Sequence, residues 1–357
     1  MEESVTAGGR NGARFWVVLV VVCVAAACAP RHAAMRAAPD ARATILPIHV
    51  ATLRHLDRTG PSFGQVRGRA LNFFRADISV PPTHKPGRIE WPEGPPDAAT
   101  DFVVTDTAMQ ASRAAFAREV YRAGPGRETL VFVHGYNNTL SEAMYRLAQI
   151  RADFDLDMPS VLFSWPSAGD PRGYVYDRDS TLYARDDLET VLAGLTAAPG
   201  EKVFLLAHSM GAHLVMEALR QAALRGDRQL LDRISGVVLM SPDIDPDLFR
   251  RQAEAIGPLP QPFMIFISRQ DRALSLAGLL TGRKPRLGVI DSPGQVAGLG
   301  VTLVDFTALA DGEGLNHFVP VTSPAAITVI NGMIEQATRG ARAFERFMVL
   351  KAPAEGF

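Results

Sequence analysis

Cysteine is nearly missing from this chain of 357 residues: Cys23 and Cys28 are the only two, and both lie in an apolar stretch near the N-terminus. The remainder therefore has no thiol for a disulfide, a cysteine-ligated zinc or a cysteine nucleophile. Lysine is almost as scarce, at Lys85, Lys202, Lys284 and Lys351, and the 37 basic residues are balanced by 38 acidic ones. With no net field to steer it toward a polyanion, no nucleic-acid partner is expected. No apolar run reaches the roughly 20 residues that a bilayer-spanning helix needs. No internal repeat is visible, and low complexity is confined to residues 29–43.

The apolar run that is present, Phe15 to Ala29, follows Arg10 and Arg14 and precedes Pro30 and Arg31. It is short for a span and suits a secretory signal, and Ala25-Ala26-Ala27-Cys28 resembles the processing site of bacterial lipoproteins, whose cysteine is lipidated. Alanine stands where a larger aliphatic residue is usual, and Glu2 and Glu3 sit at the normally basic end. A lipoprotein anchored through Cys28, in the cell envelope and facing the periplasm or exterior, is the first expectation. An uncleaved anchor comes second and plain secretion third.

The chain divides into a signal segment 1–28, a tether 29–43 rich in Ala, Arg and Pro, a domain 44–345 and a tail 346–357. Two β-rich stretches open the domain, Ile45 to Leu53 and Ala70 to Val80, followed by a Pro- and Gly-rich segment to Pro96 and a helical stretch around Met109 to Tyr121. Six short apolar runs then alternate with amphipathic stretches: Thr129 to Val133, Ser160 to Phe163, Val203 to Leu206, Gly236 to Met240, Phe263 to Ile267 and Val301 to Phe306. Strands apolar on both sides, separated by helices, predict an α/β fold with a mostly parallel sheet covered on both faces. The two early strands extend it antiparallel at one edge.

Two stretches approach the pattern Gly-x-Ser-x-Gly. Gly60-Pro61-Ser62-Phe63-Gly64 fits the letters, but no apolar strand leads into it and no helical pattern follows. Ala207-His208-Ser209-Met210-Gly211 lacks the first glycine, yet it joins the strand Val203 to Leu206 to a helical pattern with Leu214, Val215, Ala218 and Leu219 on one face. A sharp strand-to-helix turn would expose the Ser209 hydroxyl at a helix N-terminus, where backbone N–H groups favour developing negative charge. Helix capping is the plainer role for such a serine.

Acyl transfer at Ser209 needs two oxyanion donors. The backbone of Met210 is one; the loop Val133-His134-Gly135-Tyr136-Asn137-Asn138 offers Tyr136 N–H as the other, with the Asn137 side chain as a further contact. Of eight histidines, position leaves His317, in a polar loop after the last predicted strand, as the base. The acid should end a strand between Ser209 and His317. Asp271 is the first choice and Asp243 the runner-up, and either fits equally as a helix cap.

These stretches, together with His49-Val50-Ala51-Thr52 and Arg54, Ser79-Val80-Pro81-Pro82, His84-Lys85-Pro86-Gly87, Phe163-Ser164-Trp165-Pro166-Ser167, Tyr176-Asp177-Arg178-Asp179-Ser180, Ser241-Pro242-Asp243-Ile244-Asp245 and Ser268-Arg269-Gln270-Asp271-Arg272-Ala273-Leu274, occur in order. As a series they resemble a family of bacterial α/β-hydrolases described as esterase/lipase-like, of undetermined substrate. The resemblance implies an α/β-hydrolase fold and a triad of Ser209, Asp271 and His317, with Ala207 in place of the first glycine. It names no substrate, since fold alone never fixes one. Trp165 and the aromatics of Tyr174 to Tyr183 would lie beside Ser209, as pocket lining or as packing under a loop. The expected activity is hydrolysis of a carboxylic ester or thioester without metal or cofactor. A binding or scaffold protein without turnover, and an acyltransferase, are the alternatives.

Overall fold

A computed structural model describes residues 31–58, 62–124, 126–282, 284–311, 313–338 and 347–349. The signal segment, Cys28 included, lies outside these residues. Ten strands form one sheet: β1 (Thr44–Arg58), β2 (Ser62–Val80), β3 (Val103–Gln110), β4 (Glu128–Val133), β5 (Ser160–Ser164), β6 (Lys202–His208), β7 (Ile234–Met240), β8 (Phe263–Ile267), β9 (Thr302–Asp305) and β10 (Phe347–Val349). Their order is β10-β9-β8-β7-β6-β4-β5-β1-β2-β3. Every pairing from β10 across to β1 is parallel, and β2 alone runs against its neighbours β1 and β3. The expected antiparallel edge is therefore present, with β1 joined to the parallel part through β5.

Both faces of the parallel strands are dry. In β4, Val131 and Val133 belong to one hydrophobic core, while Leu130 and Phe132 belong to a second on the opposite face. Alternate residues of a strand point to opposite faces, so a strand covered on both sides must be apolar throughout. That accounts for the unbroken apolar runs in the sequence.

The covering helices are α1 (Arg113–Arg122), α2 (Leu140–Asp153), α3 (Tyr174–Leu195), α4 (Met210–Leu224), α5 (Arg228–Asp232), α6 (Pro246–Ile256), α7 (Arg272–Leu280), α8 (Val319–Thr322) and α9 (Pro324–Thr338). Local caps start several of them. Ser112 caps α1, Asp245 caps α6, and Thr139 with Glu142 closes a reciprocal capping box on α2.

Three local expectations change. Met109 and Gln110 end β3, and the helix expected around Met109 starts only at Arg113, behind its Ser112 cap. The first hairpin is much longer than the two early runs predict, because β1 continues to Arg58 and β2 starts at Ser62. Its outer part is held by side chains outside the sheet: Arg67 Nε donates to Ser180 Oγ at 2.9 Å and Tyr183 OH donates to Gly68 O at 2.9 Å. Finally, Phe347–Val349, placed by sequence in the tail, pair with Leu303–Asp305 of β9.

Candidate active site

The turn between β6 and α4 is tight. Ser209 has φ 52° and ψ −120°, a left-handed conformation that costs a non-glycine residue energy and recurs where function demands it. The neighbouring chain fixes the turn, since Ser209 N donates to Met240 O at 2.9 Å and Asp243 N donates to Ser209 O at 3.1 Å. Ala207 is fully buried, and a side chain at Gly211 would come within 2.5 Å of Val133 O. Glycine is therefore required two residues after the serine, whereas alanine is tolerated two before it. Ser62 of the other serine motif is exposed at the end of the first hairpin, opposite Arg58.

The loop after β4 lies against this turn. A Cβ on Gly135 would sit 2.9 Å from Ser209 Cβ and 2.6 Å from His208 Nδ1, so only a bare backbone can approach so closely. Met210 opens α4 and Tyr136 follows Gly135, which puts the two expected oxyanion donors on the two chain segments in contact. The Tyr136 hydroxyl donates to Pro171 O, and its ring meets Tyr174 edge-on at 5.4 Å. Burial, with the carboxylates around it, pushes the Tyr136 phenol up to about 12.

Asp271 and His317 come together, with His317 Nδ1 2.6 Å from Asp271 Oδ2. The other oxygen of Asp271 accepts from Leu274 N at 2.9 Å, so one carboxylate both caps α7 and holds the imidazole. Asp271 is fully buried. Its neighbour in sequence logic, Asp243, is committed elsewhere: Oδ1 lies 2.5 Å from Arg286 Nε, and Oδ2 accepts from Tyr174 OH at 2.9 Å. Asp243 therefore braces the serine turn through a buried ion pair.

His317 packs beside the residue that precedes the serine. His208 Nε2 lies 3.2 Å from His317 O, the two rings meet edge-on at 4.5 Å, and His208 stacks on Phe318 at 3.8 Å. Burial first, then the nearby His317, drives the His208 pKa well below the usual imidazole value. A neutral ring donating from Nε2 can thus pin the main chain of His317. His213, likewise buried, is pushed down to about 4 by desolvation.

The two expected substrate contacts, Trp165 and Asn137, are both engaged within the fold. Trp165 is fully buried, its Nε1 donates to His134 O at 2.7 Å, and it stacks on His134 at 4.9 Å. An indole whose N–H is satisfied inside the core underpins the loop instead of lining a substrate pocket. Asn137 turns toward Arg31, which donates to its Oδ1 at 2.9 Å and its carbonyl at 2.7 Å, while its N–H donates to Asp177 Oδ2 at 3.0 Å. Substrate contact from Asn137 would require those bonds to open.

A buried polar frame, not legible from the motifs alone, holds these loops. Arg54, fully buried, donates to Ser164 Oγ at 3.0 Å, Ser167 O at 3.0 Å and Asn138 O at 2.8 Å. Asp177 accepts from Ser167 Oγ at 2.6 Å and Ala168 N at 2.7 Å as well as from Asn137 N. Together they lace the β4 and β5 loops. Desolvation lowers Arg54 to about 10 and raises Asp177, the expected directions for buried charges. Among the described residues no group of three or more His, Cys, Asp or Glu side chains could hold a metal ion.

A doubly covered parallel sheet, a strained serine between β6 and α4, and an imidazole held by an aspartate after β8, two strands along the sheet, are the features of an α/β-hydrolase. The chain belongs to the family described as "Alpha/beta hydrolase of unknown function (DUF900)", which matches residues 108–335. None of the curated proteins matches it. Among solved structures it is similar to an a/b serine hydrolase without a lid from Xanthomonas campestris, at 13% identity and TM-score 0.37, covering 85% of this chain and 97% of that one. It is similar also to esterase B from Lactobacillus rhamnosis, inhibited by a tributyrin phosphonate, at 13% identity and TM-score 0.36, covering 92% and 96%. A cutinase-like protein from Cryptococcus sp. has 16% identity and TM-score 0.33, covering 61% and 97%.

Proposed function

We propose that this protein hydrolyses a carboxylic ester or thioester through an acyl-serine intermediate on Ser209. The observation that carries the reading is the strained serine turn together with the 2.6 Å contact between His317 Nδ1 and Asp271. In this scheme His317 Nε2 takes the Ser209 proton as Oγ attacks the acyl carbon. Asp271 fixes the imidazole and stabilises its charge, and the N–H groups of Met210 and Tyr136 receive the oxyanion. The protonated His317 then donates to the departing alcohol or thiol. Water, activated by the same imidazole, releases the acid and restores the serine.

The protein is proposed to be a lipoprotein held at the cell envelope through Cys28, which lies outside the described residues. No described helix is long and apolar enough to cross a membrane. Replacing Cys28 by serine should release the chain from the membrane fraction. The chemistry is tested by turnover of a panel of acyl esters and thioesters of graded chain length, followed by mass spectrometry of the quenched enzyme. An acyl adduct on the peptide containing Ser209 is the expected result. Absence of turnover and of adduct across the panel would favour a binding protein that keeps the fold.

A further inference from the structure

The described chain begins at Arg31, and this residue is docked at the rim of the proposed active site. Its guanidinium spans Asn137 and Glu142, with Nε 2.9 Å from Glu142 Oε1 and Nη2 2.5 Å from Oε2, besides the two bonds to Asn137. His32 stacks on Trp91 at 5.0 Å, and Met35 and Ala37 exchange backbone hydrogen bonds with Val104. The stretch read from sequence as a tether is therefore fastened to the domain. Cys28 is three residues away, a reach of at most about 11 Å in extended chain. The apolar run Phe15 to Ala29 ends two residues before Arg31. Whichever of these holds a membrane, the described chain that follows it is fixed at Asn137, in the loop after β4.

The helix that starts at the same edge of the sheet, after β8, carries exposed leucines. Leu276 and Leu279 are 57% and 62% exposed on α7, the helix that Asp271 caps. Leu315, 54% exposed, lies two residues before His317 with φ 62°, a conformation a leucine adopts only at a cost. The turn Glu313–Asn316 that holds it contacts α7, and Asn316 Nδ2 donates to Gln270 O at 3.2 Å. Val175, 72% exposed, stands in the first turn of α3 at the same edge. β4 and β8 are three places apart in the strand order, about 14 Å at ordinary strand spacing.

We propose that the carboxyl edge of the sheet, with Leu276, Leu279 and Leu315 around the site's mouth, rests on the lipid bilayer to which the N-terminal segment attaches the chain. Apolar side chains presented this way enter the boundary between headgroups and acyl chains by roughly 5–10 Å. The site would then take ester substrates from the bilayer itself. This rests on the membrane attachment proposed above, and its substrate consequence rests on the hydrolase reading.

The test uses the full chain in vesicles of phosphatidylethanolamine and phosphatidylglycerol containing brominated lipid, which quenches nearby tryptophan. Leu276→Trp and Leu279→Trp should each add emission that the bromines quench, about threefold more strongly than emission added by Leu224→Trp, an exposed site at the far end of α4. Equal quenching at 276, 279 and 224 in membrane-bound protein would overturn the proposal, and so would a chain that never enters the membrane fraction. In parallel, Leu276→Asp with Leu279→Asp should lower turnover of a long-chain ester dissolved in the vesicles about tenfold and leave a short water-soluble ester unchanged. An equal fall on both esters would contradict it. A wild-type enzyme inert toward both esters would sink the hydrolase reading, while the quenching result would still decide the orientation.

Discussion

The ends of β7 and β8 each present a buried aspartate at the carboxyl side of the sheet, and the two are used in opposite ways. Asp271 shares its oxygens between the first turn of α7 and His317. Asp243 gives both oxygens to Tyr174 and Arg286, and its N–H to the carbonyl of Ser209. Position along the strand is thus a poor guide to chemical role. What separates the two is the partner each meets from a distant part of the chain, an imidazole in one case and a guanidinium in the other.

Breaking the two pairs should give different kinds of damage. Asp271→Asn should leave the fold intact and reduce kcat on a hydrolysable ester by about 10³–10⁴-fold, the scale for a triad acid that sets the tautomer of its histidine. Steady-state kinetics with a matched melting curve would check it. A loss under tenfold would remove Asp271 from the triad. Asp243→Ala should instead strand the buried Arg286 charge and destabilise the fold by about 3–5 kcal/mol, read from chemical denaturation. Replacing both partners by leucine should recover most of that loss, because no uncompensated charge is then buried. If Asp243→Ala keeps full stability but abolishes turnover, the assignment of the two aspartates is reversed.

A second histidine sharpens the contrast. His317 meets one carboxylate, whereas His84 lies between two, with Nδ1 2.8 Å from Glu90 Oε2 and Nε2 2.9 Å from Asp153 Oδ1. Burial opposes the charge on His84, but the bonds to Asp153 and Glu90 outweigh it and raise the pKa to about 9. A folded-state value above the unfolded 6.5 means that protonation stabilises the fold. That stability is fully present below pH 6.5 and is lost as pH rises through about 9, an effect on the order of 1–3 kcal/mol. Melting temperature should therefore fall across this window in wild type. His84→Gln should flatten that part of the profile, and an unchanged slope would show that His84 does not carry it.

The serine turn was legible in sequence because every requirement for it is local: an apolar strand, small residues at 207 and 211, and a helical pattern after Met210. The parallel sheet was legible for the same reason, since strands buried on both faces read as unbroken apolar runs. Asp271 was preferred over Asp243 in sequence, but the partners that distinguish them were not legible, because they are 46 and 43 residues away. Arg54 and Asp177 stand in recognisable motifs, but their role was not legible, since the bonds that give them one join loops far apart in the chain. Trp165 stayed open between pocket lining and packing under a loop, because only the bond of its indole N–H to His134 O, 31 residues away, separates the two. Three residues of β10 lie beyond a long helix with no turn signal of their own, too short for a pattern to show.

Catalysis as proposed depends first on Ser209. Treatment with a fluorophosphonate, then peptide mapping by mass spectrometry, should place the label on Ser209 in wild type, weaken it greatly in His317→Ala and abolish it in Ser209→Ala. Undiminished labelling of the Ser209→Ala chain, or a label mapped to another serine, would contradict it.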